Sequence, residues 1–200
     1  MNRSHDAWLV DLDGTLYEAR PVKLCMLAEL SLGGWSALAT LRRFRVEHER
    51  LRQLTEPLGD PYRIQLERTA QALALAPEQV EGRVREWMIE RPGKWLRRFR
   101  RAALLDEIDR FRKAGGRLAL VSDYPARRKL AALGCADWFE VIVANGEEGG
   151  PRWLKPDPGG FLSAAGRLGI TPERCLVLGD RPDADGEAAR RAGMAFRHVV

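Results

Sequence analysis

The sequence predicts an α/β protein: a mostly parallel five-stranded sheet with helices on both faces, interrupted by an all-helical insertion. Three observations predict it. A short apolar run, Trp8-Leu9-Val10, ends in two aspartates at positions i and i+2, Asp11 and Asp13, followed by Gly14 and Thr15. From residue 102 onward, apolar runs of strand length alternate with amphipathic helical stretches, the pattern of helices packed on a parallel sheet. Between these parts, residues 18 to 99 show helical spacing and turn signals without a strand pattern.

The first strand is expected over about residues 7 to 11. Pro21 to Ala39 reads as an apolar helical stretch broken at Gly33-Gly34. The next helix places Leu41, Phe44, Leu51 and Leu54 near helical spacing. Pro57-Leu-Gly-Asp-Pro61 is a turn cluster. A helix follows over residues 62 to 75, and another from Pro77, with proline in its first turn, to about Ile89. Arg91-Pro92-Gly93 ends it. Ala102 to Ala114 is an amphipathic helix closed by Gly115-Gly116. Strands are then expected over 117 to 122, 139 to 144, 175 to 178 and 195 to 200, with helices over 126 to 133, 158 to 168 and 185 to 192. The division this implies is a core of residues 1–17 and 100–200 with a helical insertion of residues 18–99.

Composition narrows the class. Two hundred residues with 45% hydrophobic and 30% charged content suit a globular protein. No run approaches the length of a membrane helix, and the N-terminus has no apolar signal region, so a cytoplasmic location is expected. Asn2-Arg3-Ser4 matches a glycosylation sequon without a secretory context. Cys25, Cys135 and Cys175 are odd in number and far apart, which fits reduced, mostly buried thiols. The charge of +5 is unevenly spread: residues 17 to 101 hold 17 Lys and Arg against 11 Asp and Glu, the remainder 16 against 17. That asymmetry suits capture of an anionic substrate between the two parts; it also suits a chain that simply uses Arg on its surface. Arg42-Arg43-Phe44-Arg45 and Trp95-Leu96-Arg97-Arg98-Phe99-Arg100-Arg101 interleave basic and aromatic residues. They read as helices with buried aromatics and a solvated Arg face rather than as a nucleic-acid surface.

Asp11 and Asp13 point to one side of an extended segment and leave the carboxyl end of a strand, where open α/β sheets bind ligands. Two such carboxylates repel each other unless a cation shares their charge; a hard divalent ion, Mg²⁺ above all, answers that need. Three later stretches add chemistry in order: Leu120-Val121-Ser122-Asp123, Lys155-Pro156-Asp157-Pro158, and Leu178-Gly179-Asp180-Arg181-Pro182-Asp183-Ala184-Asp185.

Together with Asp11-Leu12-Asp13-Gly14-Thr15, these stretches resemble the signature motifs of the haloacid dehalogenase superfamily, whose members are mostly phosphohydrolases. The helical insertion resembles the cap of the subgroup that includes phosphoglycolate phosphatase and β-phosphoglucomutase. The resemblance implies a Rossmann-like core with strand order 5-4-1-2-3. It implies a Mg²⁺-dependent phosphatase acting on a small organic phosphate monoester through an aspartyl-phosphate. Asp11 then matches the nucleophile and Asp13 the general acid/base. Ser122 matches the residue that hydrogen-bonds the phosphoryl group, and Lys155 the cation that neutralises it. Asp180 is expected to ligate Mg²⁺ with Asp11 and the Asp13 backbone carbonyl, and Asp185 to act through water or by positioning Lys155. Asp123 is expected to cap the following helix or touch substrate, and Asp183 to be a turn residue. The expected partner is a small phosphorylated metabolite, with no membrane and no nucleic acid. Two other readings stand beside this one: a phosphomutase of the same superfamily, and a non-catalytic module that binds through the basic insertion.

Overall fold

A computed structural model describes residues 5–54 and 59–200. The Asn2-Arg3-Ser4 sequon and Pro57-Leu58 of the turn cluster lie outside the described residues. Five strands, β1 (Ala7–Val10), β2 (Arg117–Ser122), β3 (Val141–Ala144), β4 (Cys175–Gly179) and β5 (Ala195–His198), form one parallel sheet in the order β3-β2-β1-β4-β5. This is the order implied by the resemblance. The three strands that carry Asp11, Ser122 and Asp180 at or just beyond their carboxyl ends are therefore neighbours.

Each strand is apolar because both faces of the sheet are covered. Leu9, Ala119, Val121 and Val177 face one side, where Phe161, Ala164 and Leu168 of α8 (Gly159–Leu168) pack on them with α9 (Glu187–Arg191). Val10, Leu118, Leu120 and Leu178 face the other side, against Ile108 of α6 (Ala102–Lys113) and Leu130 of α7 (Arg127–Leu133). The alternation along β1 is the period-two pleat of a strand. Trp8, at the lower edge of that second face, stacks on Phe111 with ring centroids 4.1 Å apart.

Among the described residues, five α-helices lie between β1 and α6: α1 (Ala19–Gly33), α2 (Trp35–Arg52), α3 (Pro61–Leu73), α4 (Pro77–Val84) and α5 (Gly93–Arg98). Pro61 and Pro77 open α3 and α4, where a missing N–H costs nothing, and the Asp60 side chain caps α3 by accepting from the Arg63 amide at 3.0 Å. The helix after Pro77 continues through a wider, π-helical segment, Arg85–Glu90, before the turn at Pro92. Gly34 separates α1 from α2 for a steric reason: a Cβ there would stand 2.6 Å from Trp87 and 2.7 Å from Leu30. Phe44 is fully buried, while Arg42 and Arg45 beside it are exposed and Arg43 is partly buried. Leu54 departs from expectation: α2 ends at Arg52, so Leu54 leaves the helical phase and is 43% exposed.

The chain enters and leaves this helical segment side by side. The Glu18 amide donates to the Phe99 carbonyl at 2.9 Å and the Arg101 amide to the Leu16 carbonyl at 3.0 Å, with Tyr17 and Arg100 forming an antiparallel bridge. Among the described residues no helix is long and apolar enough to cross a membrane.

Candidate active site

The Asp11 amide donates to the Leu178 carbonyl at 2.9 Å, so Asp11 is still held by the β1–β4 pairing when its side chain emerges. That carboxylate is buried. Its Oδ2 accepts from Thr15 Oγ1 at 2.9 Å and its Oδ1 from Lys155 Nζ at 2.5 Å. Lys155, on the loop between β3 and α8, is itself buried and also donates to Asp185 Oδ1 at 2.7 Å. Asp185 Oδ2 accepts the Arg181 amide at 3.1 Å, which fixes the turn after β4. Gly14 lets Asp180 approach: with φ at +104°, a Cβ there would lie 2.1 Å from Asp180 Oδ2.

Carboxylate oxygens of Asp11, Asp180 and Asp185 lie within 4.8 Å of one another. Burial pushes the Asp11 carboxyl upward, with Lys155 pulling the other way and Asp185 and Asp13 adding to the rise. Burial, then Asp185, raises Asp180 as well. Burial works against the charge of Lys155, but Asp11, Asp185 and Asp123 outweigh it and keep its proton on. One ammonium thus serves three converging carboxylates, and negative charge is left over. Such a cluster fits a hard divalent cation with oxygen ligands.

Asp13 faces elsewhere. Its carboxylate receives Lys129 Nζ at 2.6 and 2.7 Å and the Tyr17 hydroxyl. Lys129 is buried on α7. Ser122 is buried at the end of β2, where its hydroxyl donates to the Tyr124 carbonyl at 2.8 Å and accepts the Tyr124 amide at 3.2 Å. Asp183 is exposed on the turn and pairs with Arg181 at 2.6 Å.

Asp123 corrects one expectation. It caps no helix: the first amides of α7, from Ala126 and Arg127, donate to Glu147 Oε1 at 2.7 and 2.8 Å instead. Asp123 is buried, accepts the Lys155 amide through Oδ1 at 3.2 Å and meets Arg52 Nη2 through Oδ2 at 2.6 Å. His48 Nε2 stands 3.7 Å from the same oxygen, and its ring stacks on Tyr124. Burial opposes the Asp123 charge, but Lys155, His48 and Arg52 outweigh it and hold the carboxyl well below the ordinary range. Asp123 therefore ties α2 to the lysine loop.

The six candidate catalytic and metal-binding residues, Asp11, Asp13, Ser122, Lys155, Asp180 and Asp185, line one cavity of about 510 Å³ with Asp123, together with Tyr17, His48, Arg52, Lys129 and Arg181, for which no role was expected. One signal for Lys129 was present. The chain has 5 Lys to 28 Arg, and the two lysines that are buried are Lys129 and Lys155.

A carboxylate pair at the end of a central parallel strand, a buried lysine bound to the first of the pair, and inserted helices that line the same cavity define an α/β protein with a carboxylate-centred site. The chain belongs to the haloacid dehalogenase-like hydrolase family, whose model matches residues 5–193. It is similar to glyceraldehyde 3-phosphate phosphatase of Methanopyrus kandleri, 44% identical over 33% of this chain and 27% of that protein. To phosphoserine phosphatase of Thermus thermophilus it is 35% identical over 50% of this chain and 42% of that one. The matched part of the chain thus spans less than half the length of these two relatives. Phosphoglycolate phosphatase of Aquifex aeolicus is 29% identical over 92% of this chain and 80% of its own length. Among solved structures, a HAD phosphatase from Thermococcus onnurineus superposes with a TM-score of 0.63 at 21% identity, covering 98% of this chain and 86% of that one. L-2-haloacid dehalogenase of Xanthobacter autotrophicus superposes with a TM-score of 0.65 at 19% identity, covering 98% and 77%. These two share the fold.

Proposed function

We propose that this chain is a Mg²⁺-dependent phosphatase that hydrolyses a small organic phosphate monoester through an aspartyl-phosphate on Asp11. The observation that carries this reading is the placement of Asp11. It is buried, fixed by Thr15 and Lys155, and opens onto the cavity that Asp13 also lines. The named relatives that are phosphatases point the same way.

The Asp11 carboxylate attacks phosphorus, the ester P–O bond breaks, and Asp13 gives a proton to the departing alcohol oxygen. Asp13 then takes a proton from water as that water attacks the phosphoaspartate, which frees inorganic phosphate and returns Asp11. Lys155 balances phosphoryl charge and keeps Asp11 in place, with Asp185 orienting Lys155. Ser122 supplies a hydrogen bond to a phosphoryl oxygen in exchange for its bond to Tyr124. Asp13 must leave Lys129 and Tyr17 to reach the leaving oxygen, so these two are positioning residues. Asp11, Asp180 and the Asp13 backbone carbonyl, with Asp185 beside them, would hold Mg²⁺, which when bound would supply the positive charge that lets a phosphate dianion approach the carboxylates.

On this reading residues 1–17 and 100–200 are the catalytic core and residues 18–99 a cap that excludes water and selects the substrate. The test is phosphate release from p-nitrophenyl phosphate and a panel of phosphate esters, with Mg²⁺, with EDTA, and with Asp11→Asn. Turnover that needs the metal and is lost in Asp11→Asn is the expected result. A folded protein that turns over no ester in Mg²⁺ overturns it.

A further inference from the structure

We infer that the alcohol half of the substrate is apolar, an alkyl or aryl group rather than a polyol, an inference that rests on the phosphatase reading above. The cavity over the carboxylates is bounded on the insertion side by α1 and α2, and both helices have a fixed near end. Tyr17, just before α1, donates to Asp13. Arg52, at the end of α2, is bound to Asp123 at 2.6 Å. Distance along each helix from these anchors is therefore distance from the reacting group.

Going outward along α2, the cavity is lined by Arg52, then Glu49 and His48, then Arg45 and Arg42, and last by Leu41 and Leu38. Going outward along α1, the lining changes from Ala19, Val22 and Lys23 to Met26, Leu27 and Leu30. At 1.5 Å per residue, Leu30 and Leu38 stand about 20 Å along their helices from the anchored ends. Trp87, Met88 and Pro92 close the same region. The charged lining is thus near the phosphate end and the far end is hydrocarbon, thioether and indole.

What the lining lacks is equally specific. Between residues 19 and 92 the described lining contains no Ser, Thr, Asn or Gln. A sugar or polyol desolvated there would leave hydroxyls without partners, a penalty that opposes binding. Arg42 and Arg45 have no carboxylate partner among the described residues. They lie between the two ends, where they draw in a phosphate dianion without reading the alcohol.

The experiment is a series of kcat/KM values for methyl, butyl and hexyl phosphate below their micelle concentrations. A hexitol phosphate of the same carbon number and p-nitrophenyl phosphate complete the set. Burial of each added methylene is expected to raise kcat/KM by about fourfold, with hexyl phosphate exceeding the hexitol ester by at least that factor several times over. In Leu27→Asp, a change at a half-exposed wall residue, the hexyl-to-methyl ratio is expected to fall. A flat series, or preference for the hexitol ester, while p-nitrophenyl phosphate is turned over, overturns the inference and leaves the phosphatase reading standing. Absence of turnover on every ester overturns both.

Discussion

The two walls of the cavity are built on opposite plans. On the core side, charges are matched group by group: Lys155 with Asp11 and Asp185, and Lys129 with Asp13, all within 2.7 Å and with both ammonium groups buried. On the insertion side, the far wall is hydrocarbon, and the arginines nearest it carry no matching carboxylate among the described residues. Partners and distances are fixed on the core wall, and only shape and polarity are fixed on the far wall. The join between the two walls is Asp123, a core residue whose carboxylate is held by the insertion's Arg52.

The contrast can be broken most severely at Asp11. Asp11→Asn keeps the side-chain shape but removes the nucleophile, and kcat should fall by on the order of 10⁴–10⁶-fold, read by phosphate release. Lys155→Met comes next. It leaves Asp11 and Asp185 buried without their cation, and the protein should lose about 3–5 kcal/mol of stability in urea unfolding. Asp13→Asn should lower kcat by about 10²–10⁴-fold, with the fold intact by circular dichroism.

The join is tested by pH. Asp123 titrates below its unfolded value, so its contribution is present above about pH 4 and is lost as pH falls further. The midpoint difference between wild type and Asp123→Asn should therefore be largest near neutrality and narrow as thermal melts are taken to pH 3. The smallest effect sharpens the contrast from the other wall. Arg42→Met with Arg45→Met should change stability by no more than about 0.5 kcal/mol, since no ion pair is lost.

The sequence exposed the core wall far better than the joins across it. Strands and helices were legible because apolar runs and their stops are local: Gly115-Gly116 marks the end of α6, and Arg117–Ser122 is β2 as expected. The six candidate residues were legible because each sits next to a strand end or a turn with its own short pattern. Lys129 was not, since its partner Asp13 lies 116 positions away. Arg52 and Asp123, 71 positions apart, were hidden for the same reason, and so the capping role expected of Asp123 fell to Glu147 from a different loop. Helical spacing also carried one residue too far, to Leu54, because nothing local marks the stop at Arg52.

The side-by-side entry and exit at Leu16–Glu18 and Phe99–Arg101 makes the intervening helices, in chain terms, an oversized hairpin loop. Its two stems are already hydrogen-bonded, so a tight turn of a few residues would bridge them as well as five helices do. Length and sequence between the stems can then change without shifting β1 or the register of the sheet, and what such a change would disturb is the Arg52–Asp123 tie.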